Sequence, residues 1–155
     1  MSPAPESQGA AEELARMQAL TVPGALDSLS AIGQYVMQAA AEAGIDRKRA
    51  YQLRLSVDEI VTNIIVHGYQ EAGREGDVAI WAEIQPNALA IVLEDSAVPF
   101  DPRSIPEPDG LDKPIEEREI GGLGIYLAIR GVDDFRYEYA GDHNRNTLIL
   151  HRATT

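Results

Sequence analysis

DRKRAYQLRLSVDEIVTNIIVHGY, residues 46–69, carries two patterns at once. Leu53, Val57, Ile60, Val61 and Ile64 recur at helical spacing and form an apolar stripe for a core. Glu59, Asn63 and His67 fall at i, i+4 and i+8, which at about 100° per residue is a single row beside that stripe. A carboxylate and an amide one turn apart, on a helix that packs on a sheet, suit a metal–phosphate site. Magnesium takes oxygen ligands and keeps several waters, so one Asn oxygen plus phosphates suffices. Such a row is also compatible with an ordinary solvated face, so the rest of the chain must decide.

Outward from this helix, both sides read as compact elements. Upstream, residues 1–16 are a flexible tail rich in Pro, Ser, Gly and Ala. Residues 17–22 form a first strand ended by Pro23-Gly24, and residues 25–43 a helix with Leu26, Leu29, Ile32, Val36 and Met37 on one side. Gly44 stops that helix and Asp46 caps the next. Downstream, residues 77–84 and 88–94 pair as a hairpin across Pro86-Asn87. Residues 96–120 hold five prolines and two acidic clusters without periodicity, a loop long enough to be functional or unstructured. It runs into Gly121-Gly122-Leu123-Gly124, a helix over the following residues, and closing strands at 135–139 and 146–151. Blocks of helices and antiparallel strands, without βαβ alternation, predict an α+β two-layer sandwich with the helices on one face of a mainly antiparallel sheet.

Composition narrows the function. At 155 residues the chain is the size of one domain, here 17–155 after the tail. Its 13 Lys and Arg against 25 Asp and Glu give a net charge of -12, which argues against nucleic acid and anionic membrane as partners. With no cysteine, disulfides, thiolate catalysis and Cys-ligated zinc are excluded. No run approaches the roughly 18 apolar residues of a membrane helix, and the N-terminus lacks signal-peptide blocks, so the expected location is cytoplasmic.

Three local features carry chemistry. GGLG opening a helix offers backbone amides to phosphate, though it is not a Walker motif. Asp95, at a strand end, accepts hydrogen bonds only and suits an amino group such as adenine N6. Val98-Pro99-Phe100 then supplies an apolar wall for a base.

Taken in order, these features resemble the anti-sigma factor serine/threonine kinases of the GHKL ATPase superfamily. DEIVTNIIVHGY is similar to that family's N box, EDSAVPFDP to its first glycine box, EEREIGGLGIYLAIRGVDDFRYEY to its second glycine box and helix, and NRNTLILHR to its closing strand. The resemblance covers roughly residues 18–152. It implies ATP and Mg²⁺ as cofactors, Glu59 as general base and Asn63 as magnesium ligand, with His67 secondary. It makes Asp95 the adenine-reading carboxylate and places Ala97 and Phe100 in the same nucleotide-contacting box. Gly122 and Gly124, with Gly121 and Leu123 between and beside them, match the phosphate cradle. Residues from about 98 to 120 match the ATP lid, and Thr147 a closing-strand hydroxyl near adenine. Arg103, Lys113 and Arg118 are the lid cations available to a γ-phosphate.

The implied substrate is a STAS-domain anti-sigma-factor antagonist, with a sigma factor or a PP2C-type phosphatase regulator as further partners and homodimerisation common. The alternative is a module that sequesters a partner without phosphoryl transfer. One departure favours it: Ala97 stands where the family's first box has glycine, which threatens the close approach or positive φ that a glycine allows.

Overall fold

The structure is a computed structural model that describes residues 15–106 and 122–152. Residues 1–14 of the expected tail (1–16), most of the expected lid (107–120) and Gly121 lie outside those residues.

The sheet is built from β1 (Ala15–Arg16), β2 (Leu20–Pro23), β3 (Asp77–Gln85), β4 (Ala88–Asp95), β5 (Asp134–Ala140) and β6 (His143–His151). All its pairs are antiparallel, with β1 and β2 both on the outer edge of β3, followed across the sheet by β4, β6 and β5. The helix layer comprises α1 (Leu29–Glu42), entered through a 3-10 turn at Leu26–Ser28, then α2 (Arg47–Asn63) and α3 (Leu123–Arg130). This is the α+β two-layer sandwich expected from the order of elements.

Local chemistry sets the element boundaries. Asp46 accepts a hydrogen bond from the Arg49 amide (2.9 Å) and so caps α2. Gly44 turns the chain between α1 and α2 with φ +71°. The stripe Leu53, Val57, Ile60 and Val61 is fully buried and meets Ile80, Leu89, Ile91 and Leu93 of the sheet. Arg49 ties the start of α2 to the far end of the sheet through Asp133 (2.7 Å) and the His151 carbonyl (2.9 Å).

Three boundaries differ from expectation. Ala15–Arg16, expected in the tail, forms a strand, and the strand expected over 17–22 is observed at Leu20–Pro23. Gly68 does not stop the central helix. Beyond Asn63 the helix widens into π-type turns over Ile64–Gln70, with the Glu71 amide bonding the Val66 carbonyl at 2.9 Å. This widening keeps Ile64, Ile65 and Tyr69 buried while the backbone carries His67 past the cavity described below. Leu26 is 46% exposed and does not join the α1 core stripe, because the 3-10 turn rotates it outward.

Candidate functional site

The inward face of the β4–β6 pair changes character along its length. The cross-strand partners are Leu89–Leu150, Ile91–Leu148, Leu93–Asn146 and Asp95–Asn144. Strand alternation sends all eight residues to the helix-covered face, so the core gives way to polar groups as the strands leave it. There a cavity of about 600 Å³ opens between the sheet end, the second half of α2 and the start of α3. That is an ordinary size for a small-molecule site.

Asp95 is 2% exposed on the cavity floor. Its Oδ1 accepts from the Ala97 amide (2.9 Å) and from Asn144 Nδ2 (2.9 Å). Its Oδ2 is buried without a partner. A buried acceptor left open is costly, and a ligand N–H supplies what it lacks. Burial raises the Asp95 pKa above the usual carboxylate range, and the Asn144 and Ala97 hydrogen bonds offset part of that rise.

Asn144 was not anticipated from the sequence. It is 3% exposed, and its Nδ2 also reaches the Ala97 and Val98 carbonyls (both 3.2 Å), while its Oδ1 accepts from the Phe100 amide (3.2 Å) and the Tyr137 hydroxyl. One side chain therefore fixes both the Asp95 rotamer and the turn that follows. A second anchor comes from the π-type turn: the Tyr69 hydroxyl accepts from the Ser96 amide (2.9 Å) and donates to the Asp77 carbonyl (2.7 Å).

Glu59, Asn63 and His67 all border the cavity, as the helical row predicts. Glu59 is solvent-exposed, and its carboxylate lies over Gly124: a Cβ there would sit 1.9 Å from Glu59 Oε1. His67 Nδ1 is 2.6 Å from Glu71 Oε1 on an exposed surface. Gly122 adopts φ +81° at the entry to α3, a conformation that glycine holds without strain, and with Gly124 it borders the cavity. Leu123 begins α3 without lining the cavity, whereas Ala97, Val98, Pro99 and Phe100 form its apolar wall.

Two expectations are not met. Thr147 does not reach the cavity; it pairs with Val92 and Arg136, on the opposite face of the sheet. Asn146, one residue earlier, lines the cavity instead, 2% exposed and with Oδ1 unpartnered. The signal was present in NRNTLIL, where Asn144 and Asn146 are in phase with Leu148 and Leu150. Arg103 is engaged by Asp101 (2.8 Å) and does not line the cavity, and Lys113 and Arg118 fall outside the described residues.

Ala97 is accommodated without strain. Its φ is not positive, and it is 2% exposed with its methyl packed toward Gly68.

A helix layer on one face of an antiparallel sheet, with an aspartate-floored cavity closed by glycines at a helix start, defines an ATPase-type nucleotide-binding domain. The chain belongs to the family described as Histidine kinase-like ATPase domain, whose family model matches residues 22–152. It is 34% identical over 87 residues to a serine-protein kinase RsbW of Bacillus cereus (strain AH820), covering 54% of this chain and 53% of the relative. A serine-protein kinase RsbW of Bacillus thuringiensis (strain Al Hakam) is 32% identical over the same length. The chain spans about half the length of the curated relatives it matches. In fold it is similar to the crystal structure of the RsbU and RsbW domains of Rv1364c from Mycobacterium tuberculosis, with a TM-score of 0.57 at 15% identity over 89% of this chain and 34% of that one. The resemblance to anti-sigma factor kinases is thus borne out, and membership of the family implies ATP binding. Among the described residues, no helix is long and apolar enough to cross a membrane.

Proposed function

We propose that this chain is an anti-sigma regulatory serine/threonine kinase that binds Mg-ATP and phosphorylates a Ser or Thr of a STAS-type antagonist protein. The observation that carries this reading is Asp95 Oδ2, a buried acceptor without a partner on the floor of an apolar-walled cavity. The adenine amino group donates to that oxygen, with Ala97, Val98 and Phe100 against the base. Asn63 would hold magnesium through its side-chain oxygen, and a bound metal would supply charge compensation for the phosphates. The amides at Gly122 and Gly124 face the same phosphates at the start of α3.

Glu59, at the solvent edge, takes the proton of the acceptor hydroxyl. The hydroxyl oxygen forms a bond to the γ-phosphorus as the bond to the β–γ bridging oxygen breaks, leaving phospho-Ser or phospho-Thr and ADP. An exposed base suits a protein substrate, which must reach it from outside.

Calorimetric titration of ATP with and without Mg²⁺ tests the pocket. Wild type binds in a Mg²⁺-dependent manner, and Asp95→Asn and Asn63→Ala each weaken binding. Loss of a hydrogen bond to a charged acceptor is worth about 1.5–3 kcal/mol, roughly 10- to 150-fold in affinity. Transfer of labelled γ-phosphate to a recombinant STAS-domain protein tests the reaction, and Glu59→Ala abolishes transfer while retaining ATP binding. No ATP binding at millimolar concentration overturns the proposal.

A further inference from the structure

Seven large apolar side chains are exposed among the described residues, and three of them share one place. Tyr51 is 56% exposed and Leu55 43% on α2, and Leu127 is 53% exposed on α3. Two contacts fix how these helices lie. A Cβ at Gly131 would meet Gln52 Nε2 (2.6 Å) and Ser56 Oγ (2.9 Å), and one at Gly124 would meet the Glu59 carboxylate. So α3 runs antiparallel along the Gln52–Ser56–Glu59 side of α2. Helical spacing then sets Leu55 and Leu127 on the outer lips of that seam, away from the sheet.

Tyr51, Leu55 and Glu59 are at i, i+4 and i+8. The apolar row thus runs about 12 Å along the helix and ends on the exposed carboxylate beside the cavity.

Charge sets this surface apart from the rest of the molecule. Arg47–Asn63 carries four cations against two carboxylates, but Arg49 is paired with Asp133 and Arg54 lies against Gly33 of α1. The outer face therefore presents Arg47, Lys48 and, from α3, Arg130, with Asp58 and Glu59 toward its cavity end, in a chain of net charge -12. Arg47, Lys48 and Arg130 are exposed around the apolar row.

We propose that the outer face of α2, with the α2–α3 seam, is the docking surface for the phosphoacceptor protein. That protein presents an apolar contact ringed by acidic residues, and its hydroxyl lies one helical turn beyond the Leu55 contact. This inference rests on the kinase reading for the identity of the occupant. An apolar centre supplies contact energy and the cationic rim supplies steering and orientation.

The test titrates recombinant STAS-domain proteins, acceptor residue intact, into the full chain by calorimetry at low and high salt. The variants are Leu55→Asp and Lys48→Glu, both at exposed positions outside the buried core. The wild type binds, more weakly at high salt, and each variant weakens binding at least tenfold while affinity for Mg-ATP and melting temperature are unchanged. Unchanged partner affinity in both variants overturns the surface, as does failure of the wild type to bind any of the proteins. Partner binding that the variants lose, in a chain that transfers no phosphate, supports the surface and overturns the kinase reading alone.

Discussion

Gly68 and Ala97 divide one methyl's worth of space between them. A Cβ at position 68 would lie 2.7 Å from the Ala97 Cβ, so the alanine in the first box fits because the central helix carries glycine opposite it. The backbone is already close there, with the Val98 amide bonding the Gly68 carbonyl at 3.3 Å. Gly68→Ala overpacks this contact and destabilises the fold by about 1–3 kcal/mol. Adding Ala97→Gly restores stability, with a coupling of about 0.5–3 kcal/mol. Urea unfolding of the two single variants and the double variant measures the cycle. Strict additivity refutes the exchange.

The Glu59–Gly124 contact predicts a variant that is stable and catalytically impaired. A methyl at 124 collides with the far end of a flexible side chain, which moves aside at little cost, and alanine favours a helix over glycine by about 1 kcal/mol. Gly124→Ala therefore melts within a few degrees of wild type, and its transfer rate falls because the carboxylate is displaced. Stopped assays at saturating ATP separate kcat from KM. An unchanged kcat shows that the contact does not position Glu59 for the reaction.

Asp95 sets function against stability. Burial raises its pKa, so the ionised carboxylate weighs against the folded state at neutral pH. That cost is present above the raised folded pKa. It is relieved as pH falls through that value toward the unfolded one, where both states are protonated. Asp95→Asn removes the charge and keeps an oxygen for the Ala97 and Asn144 donors. It melts higher than wild type at pH 7.5, and the gap narrows on approach to pH 4.5, while ATP affinity falls. Scanning calorimetry across that range checks the sign. A variant that melts lower at neutral pH shows that the carboxylate's hydrogen bonds outweigh its desolvation.

Much of this architecture is legible in the chain because local rules agree with tertiary ones. The Leu53–Val57–Ile60–Val61 stripe, the Asp46 cap and the Pro86-Asn87 hairpin follow from spacing and turn chemistry, and the same spacing brings Glu59, Asn63 and His67 to the cavity. What is not legible depends on partners far apart in sequence. The Asp95–Asn144 bond spans 49 residues, and the phase with Leu148 and Leu150 sets Asn144 on the inner face without naming its partner. The Gly68–Ala97 exchange looks like a defect in the first box until both residues are placed in space. The π-type turns leave no mark because IIVHGYQ is equally compatible with an α-helix. Thr147 was misplaced for a different reason: a hydroxyl attracted attention that the alternation set by Leu148 and Leu150 assigns to Asn146.

Asn144 is the residue that the geometry makes most informative. It joins Asp95 to the Ala97–Phe100 turn and to Tyr137 of β5, so it positions the carboxylate proposed to read adenine without itself offering a free atom. Asn144→Ala leaves several buried polar groups unsatisfied, each worth about 1–3 kcal/mol, and lowers the melting temperature. It also frees the Asp95 rotamer, so ATP affinity falls even at temperatures where the variant is fully folded. Asn144→Asp separates the two effects: it keeps the size and the bonds to Phe100 and Tyr137 but sets a second carboxylate about 2.9 Å from Asp95 Oδ1, which raises the pKa of the pair further. For Asn144→Asp, ATP affinity therefore falls more steeply than that of wild type as pH is lowered from 8 to 6. A variant profile parallel to that of wild type, measured by calorimetry in the two buffers, shows that position 144 does not couple to Asp95.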